Sequence, residues 1–121
     1  MSNASKNPVV HFEVLGRDPN ALRKFYSEAL GWVAGPADDS PFEYSMIQPG
    51  EGKGIAGGIG KAPQGPGHVT FYVEVPDPQA ALDRITGLGG RTVQPVMEVP
   101  GGPTFATFAD PEGHVVGLVK S

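Results

Sequence analysis

Residues 9–15 place Val10, Phe12 and Val14 on one face and Val9, His11, Glu13 and Leu15 on the other. This period of two predicts a strand whose second face carries a polar pair. Asp18-Pro19 then supplies an N-cap acceptor and a proline at the first helical position. Leu22, Phe25, Tyr26, Ala29 and Leu30 follow at helical spacing, and Gly31 marks the stop. Shorter strands are predicted at 32–34, 42–48 and 55–59, so the first half reads βαβββ.

The second half repeats the order. Residues 68–75 alternate Val69, Phe71, Val73 and Val75 against His68, Thr70, Tyr72 and Glu74. Asp77-Pro78 caps a helix carrying Ala81, Leu82, Ile85 and Leu88, ended by Gly89-Gly90, and strands are predicted at 91–99, 104–109 and 114–120. Anchoring on the two Asp-Pro caps gives a repeat of 59 residues and sets Thr70 opposite His11, whereas pairing His11 with His68 gives 57. The His pair heads the two first strands and is expected to share one face, opposite the helix-side residues Phe12 and Phe71. Two such modules, 8–62 and 68–121, are each too small to bury a core, so the expectation is one α+β domain over 8–121. Residues 1–7 are polar and small and are read as a disordered or expression-derived tail.

Composition narrows the function classes. With no Cys, disulfides, thiolate metal sites and Cys nucleophiles are excluded. The net charge of −4 and nine scattered Lys and Arg do not make a nucleic-acid surface, and no apolar run is long enough for a membrane helix. The expected setting is cytoplasmic. The 18 Gly and 13 Pro fall between the apolar runs and read as turns. Gly52-x-Gly54-x-x-Gly57 matches the dinucleotide fingerprint only formally, because the following Gly and Pro residues forbid the helix that must receive the phosphates. His11-x-Glu13 lacks the thiolates of a zinc deaminase, and no Gly-x-Ser-x-Gly elbow exists.

The strand headed by His11, the Asp-Pro-capped helix with Phe25-Tyr26 ahead of Gly31-Trp32, the run His68-Val-Thr-Phe-Tyr-Val-Glu-Val and the terminal Phe108-Ala-Asp-Pro-Glu-Gly-His together resemble the vicinal oxygen chelate superfamily. That superfamily includes glyoxalases, bleomycin-resistance proteins and extradiol dioxygenases. The resemblance implies tandem βαβββ modules curled into an incomplete barrel around a cavity, a small-molecule ligand and a homodimer. It also implies His11 and His68 as ligands of one divalent metal (Zn, Ni, Fe or Mn), usually completed by a Glu on the last strand. Here Gly117 stands at that position.

Glu13, two residues along the face of His11, is the first candidate to replace the carboxylate or to move a proton; Glu74 is the other. Thr70, Tyr72 and Thr107 are candidate hydrogen-bonding groups, with Trp32, Tyr72 and Phe105 as candidate walls. His114 follows a turn and is expected to be exposed. Two functions follow: metal-assisted lyase, isomerase or dioxygenase chemistry, or metal-free sequestration of a hydrophobic or planar compound.

Overall fold

The computed structural model describes residues 5–121, so most of the expected tail, residues 1–4, lies outside the described residues. The chain is α+β, with seven strands and two helices: β1 Val9–Gly16, α1 Pro19–Leu30, β2 Ser45–Ile47, β3 Gly57–Lys61, β4 His68–Val75, α2 Pro78–Gly87, β5 Arg91–Glu98, β6 Thr104–Ala109 and β7 Val115–Lys120. It divides into two compact units, residues 11–70 and residues 5–10 with 71–121.

In the 11–70 unit the strands lie in the order β2-β3-β1, with β2 at the open edge. β1 and β3 are parallel and β2 is antiparallel to β3. The long return that a parallel pair requires contains α1. Asp18 accepts a hydrogen bond from the Ala21 N–H at 3.0 Å, Pro19 occupies the first turn, and Gly31 closes the helix at φ +71°. Leu22 and Tyr26 face the sheet, where they join Phe12, Trp32 and Ala34 around the buried Val14, Ile47 and Ile59. Phe25 and Leu30, expected on that face, are each 60% exposed.

The 71–121 unit has the order β4-β7-β6-β5, with β4 parallel to β7 and the remaining pairs antiparallel. Asp77 caps α2 by accepting the Ala80 N–H at 3.1 Å. Leu82 is buried with Val75, Ala106 and Leu118, and Ala81, Ile85, Val73, Val96 and Phe108 pack around them. Phe71, expected on the helix side, is 42% exposed, and Val73 and Val75 take that role. Pro95, which lacks an N–H, sits in the edge strand β5 where the register shifts twice.

Three predicted strands are altered, each for a local reason. The 32–34 segment is reduced to one bridge, Ala34 to Ile47. The 42–48 strand starts only at Ser45, because Glu43 takes a left-handed φ of +46° that breaks extended backbone. The 55–59 strand moves to Gly57–Lys61, in register with Phe12–Gly16.

A shift of 59 residues carries Asp18 onto Asp77, and in the ladders it carries the pair Glu13–Gly58 onto Tyr72–Gly117. The cap-anchored repeat is therefore the structural one. Thr70, not His68, is the counterpart of His11, and Gly58 is the counterpart of Gly117.

Both glycines lie under tyrosine rings. A Cβ on Gly58 would come 2.0 Å from Cζ of Tyr44, and one on Gly117 would come 2.3 Å from Cδ2 of Tyr72. A bare strand glycine normally weakens a sheet, but here the missing side chain is the seat of a ring. Gly117→Ala is expected to cost about 1–3 kcal/mol by overpacking, measured by urea unfolding. The extra cost should largely vanish in a Tyr72→Ala background. Equal cost in both backgrounds would show that the ring does not set the requirement for glycine.

Candidate functional site

The polar face of β1 begins with His11 and Glu13, which strand alternation places on the same side. Tyr44, one residue before β2, reaches the same side, and its Oη lies 2.8 Å from Nε2 of His11. The two rings are stacked, with centroids 6.3 Å apart and planes 21° from parallel. From the start of β4, His68 brings Nε2 to 3.6 Å from Oε2 of Glu13. The Glu13 side chain is only 10% exposed and that of His68 is 41% exposed. Thr70, two residues beyond His68, is buried. The 11–70 unit therefore gathers a buried carboxylate, two imidazoles and a phenol on one sheet face.

Burial around His11 disfavours the imidazolium and pushes its pKa below the ordinary value, while the Glu13 charge pulls in the opposite direction. Burial is the larger effect, so the neutral ring is favoured. A neutral imidazole has one N–H and one lone-pair nitrogen, and Nε2 is engaged by the Tyr44 hydroxyl.

The remaining candidates fall elsewhere. Trp32, expected as a ligand wall, stacks on Tyr26 at 4.8 Å and contacts Phe12 at 5.1 Å, which places it in the helix-side packing. Tyr72 covers Gly117 and meets Phe105 edge-on at 6.4 Å. Thr107 lies opposite Gly117, and its Oγ1 accepts the Gln94 N–H at 3.1 Å, a contact that supports the irregular β5–β6 pairing. Tyr72, Phe105 and Thr107 all belong to the 71–121 unit, as does Glu74. His114 is a turn residue as expected, with Nδ1 2.9 Å from Asp110 Oδ2 and a side chain 71% exposed.

Among the described residues no three His, Asp or Glu side chains are gathered as a metal cluster. Nε2 of His11 is taken by Tyr44, and the space into which a side chain at position 117 would project is filled by Tyr72. Gly117 is thus a ring seat, and a Glu there would first have to evict Tyr72.

Tyr44 is the residue that the alternation pattern alone did not single out. The signal for it was Gly58-x-Gly60, two side-chain-free positions on one strand face that a large ring has to cover.

The depressed His11 pKa has a consequence for stability. As pH falls below the ordinary imidazole value of about 6.5, the unfolded chain takes up a proton at His11 that the folded chain resists. Stability contributed at neutral pH is therefore lost on acidification, from that value down to the lower folded pKa. Urea unfolding between pH 7.5 and 5 should show this decline, and His11→Gln should flatten it. An unchanged slope in the variant would contradict the assignment.

Three comparisons place the chain among known proteins. The family model described as a glyoxalase-like domain matches residues 11–119. CFP32 of Mycobacterium bovis is 32% identical over 109 residues, covering 84% of this chain and 41% of that protein, so the chain spans about two fifths of that relative's length. A glyoxylase-like domain-containing protein of Didymella fabae is 29% identical over 110 residues, covering 84% of each. Among solved structures, methylmalonyl-CoA epimerase from Mycobacterium tuberculosis superposes with a TM-score of 0.68 at 17% identity, over 99% of this chain and 92% of that one, a likeness of fold. With the ordered repeat and the ladder registers already in place, the match over residues 11–119 shows that this chain belongs to the glyoxalase-like family.

Proposed function

We propose that this chain binds a small molecule on the polar sheet face around His11, Glu13, Tyr44 and His68, and does so without a resident divalent metal. The observation that carries the reading is the 2.8 Å contact between Tyr44 Oη and His11 Nε2, which commits the most plausible ligating atom of the site to a phenol. What is left is a recognition surface. The buried Glu13 carboxylate accepts hydrogen bonds, half-exposed His68 can donate or accept, and the rings of Tyr44 and His11 suit a planar partner. Met46, 45% exposed and paired with Gly58 on the same face, adds an adaptable apolar contact. The fold is known to accommodate acyl thioesters, since a methylmalonyl-CoA epimerase has been solved with methylmalonyl-CoA.

One observation favours a second reading, proton-transfer catalysis by the same residues. Glu13 is buried and within ion-pair range of His68, and a carboxylate orienting an imidazole is the arrangement that moves protons to and from a bound carbonyl compound. We further infer a homodimer of cytoplasmic setting, supported by apolar side chains left on the surface, including Val33 at 64% exposure and Val69 at 72%. No helix among the described residues is long and apolar enough to cross a membrane. Light scattering on the eluting peak should give twice 12.6 kDa, and a mass of 12.6 kDa at micromolar concentration would contradict the dimer.

The binding reading is tested by ligand-observed NMR against planar aromatic carbonyl compounds, using protein stripped with a chelator. Binding should persist after stripping. Glu13→Gln or His68→Ala should weaken it about tenfold, the scale of losing one charge-assisted hydrogen bond. Binding that appears only when zinc or nickel is added back would overturn the metal-free reading. Deuterium uptake at the carbon next to the carbonyl of a bound compound, lost in Glu13→Gln and His68→Ala, would promote the catalytic one.

A further inference from the structure

The segment between α1 and β2 closes on itself before it delivers Tyr44. The Asp38 N–H donates to the Tyr44 carbonyl at 2.9 Å, and the Tyr44 N–H donates back to Asp38 Oδ1 at 3.0 Å. The same oxygen accepts the Ser40 N–H at 3.0 Å and the Ser40 hydroxyl at 2.6 Å. Ser40 passes the constraint on, since its hydroxyl accepts the Phe42 N–H at 3.2 Å and its carbonyl accepts the Glu43 N–H at 3.0 Å. The Ser40 hydroxyl and the Tyr44 amide hold the Asp38 carboxyl below the usual carboxylate range, because these donors favour its charged form.

Two anchors outside the loop fix it to its unit. Arg23 Nη1 of α1 donates to the Glu43 carbonyl at 3.1 Å, and the Lys61 N–H at the end of β3 donates to the Phe42 carbonyl at 2.6 Å. Gly60 permits that approach, because a Cβ there would come 3.0 Å from the Phe42 carbonyl oxygen and 2.8 Å from Cδ1 of Tyr44. Glu43 takes a left-handed φ of +46°, a conformation that persists in a non-glycine residue where the surroundings over-determine it. The Tyr44 ring is seated on Gly58, where a Cβ would come 2.0 Å from its Cζ. On its C-terminal side Tyr44 runs into the β2–β3 ladder at Ser45; on its N-terminal side the loop holds it through Asp38. Three of the loop's hydrogen bonds converge on one oxygen of that exposed residue.

We propose that Asp38 is a positioning residue of the binding face: by closing the loop it keeps the Tyr44 ring on Gly58, and through that ring it sets the preference of the face for a planar ligand. Asp38 lies outside the contact set and acts only through Tyr44. The polar groups of the ligand meet Glu13 and His68, whereas its flat body rests on the ring whose place the loop decides. Loosening the loop leaves the polar contacts and removes the stacking contact. The loss therefore falls on planar compounds and spares saturated ones that carry the same polar group. This selectivity rests on the binding face proposed above; the hold of Asp38 on the ring does not.

The full chain is first measured without ligand. The Hα resonance of Gly58 reports the ring above it, and in Asp38→Ala it should move most of the way toward the range of ordinary strand glycines. Asp38→Asn keeps an acceptor oxygen for Ser40 and Tyr44 and should hold the resonance close to its wild-type position. Ser40→Ala removes the hydroxyl that joins Asp38 to Phe42 and should shift it the same way, by less. The affinities of acetophenone and cyclohexyl methyl ketone are then compared by ligand-observed NMR. The two share a carbonyl and differ in planarity. The wild type should prefer acetophenone about fivefold, the scale of one aromatic pair. Asp38→Ala should abolish that preference by weakening acetophenone alone, and Asp38→Asn should restore it.

A Gly58 resonance unmoved in Asp38→Ala would overturn the proposal, as would an equal loss of affinity for both ketones. A merely structural role would lower the melting temperature and both affinities together, leaving their ratio unchanged. If Asp38→Ala does not fold, Ser40→Ala carries the same test, and an unmoved Gly58 resonance there overturns the proposal. If neither ketone binds the wild type while the Gly58 resonance moves as expected, the binding face and the selectivity drawn from it fail, and the hold of Asp38 on the ring stands. Ketone binding that Glu13→Gln weakens, with a Gly58 resonance that ignores Asp38→Ala, would leave the binding face intact and remove Asp38 from it.

Discussion

The arrangement of both units depends on aromatic rings lying on strand positions that have no side chain. Gly58 and Gly117 are counterparts under the 59-residue repeat, each on a strand parallel to the first strand of its half, and each carries a tyrosine ring where its own Cβ would be. The tyrosines reach these seats by different routes. Tyr72 comes from the residue paired with Gly117 in the neighbouring strand, whereas Tyr44 comes from a loop that bends back over β3. Gly57 extends the principle to the helix side, where a Cβ would come 2.2 Å from the ring of Phe12. Rings placed this way bury apolar area without requiring a second layer of side chains.

This constraint reassigns the chemistry. A glycine at a position where metal-binding relatives of this architecture are expected to hold a carboxylate reads, from sequence, as a lost ligand. In the structure it is a gained aromatic surface, because the volume is filled. On the other face of the comparison, His11 is engaged by a hydrogen bond with a phenol that the loop brings in. A buried carboxylate remains beside an imidazole, that of Glu13 beside His68.

Much of the fold was legible because it rests on local physics. The two Asp-Pro caps, the period-two runs of β1 and β4 and the Gly-rich stops are all read from neighbouring residues, and they place both helices within a residue or two. The repeat length of 59 was legible from the caps, but the pairing of His11 with His68 competed with it, and only the ladder registers decide that Thr70 is the true counterpart. The short strands at 32–34 and 42–48 were overcalled because apolar content cannot reveal the left-handed turn at Glu43 or the hydrogen bonds of Asp38. Within the site, Glu13 and His68 were legible as same-face polar residues. Trp32 was misplaced because aromatic character alone does not say which side of a sheet it covers. Tyr44 was invisible to alternation, since its position depends on a loop conformation and on glycines more than ten residues away.

The central claim, that tyrosine rings occupy the glycine positions, is tested most directly by the proton chemical shifts of the glycine Hα atoms in solution. A ring stacked on a glycine shields the protons beneath its face. The Hα resonances of Gly58 and Gly117 are therefore predicted to lie well upfield of ordinary strand glycines, that of Gly58 returning to the ordinary range in Tyr44→Leu and that of Gly117 in Tyr72→Leu, each without moving the other. Ordinary shifts for both glycines in the wild type would mean that the rings are elsewhere, and the account of the site as an aromatic, metal-free surface would be contradicted.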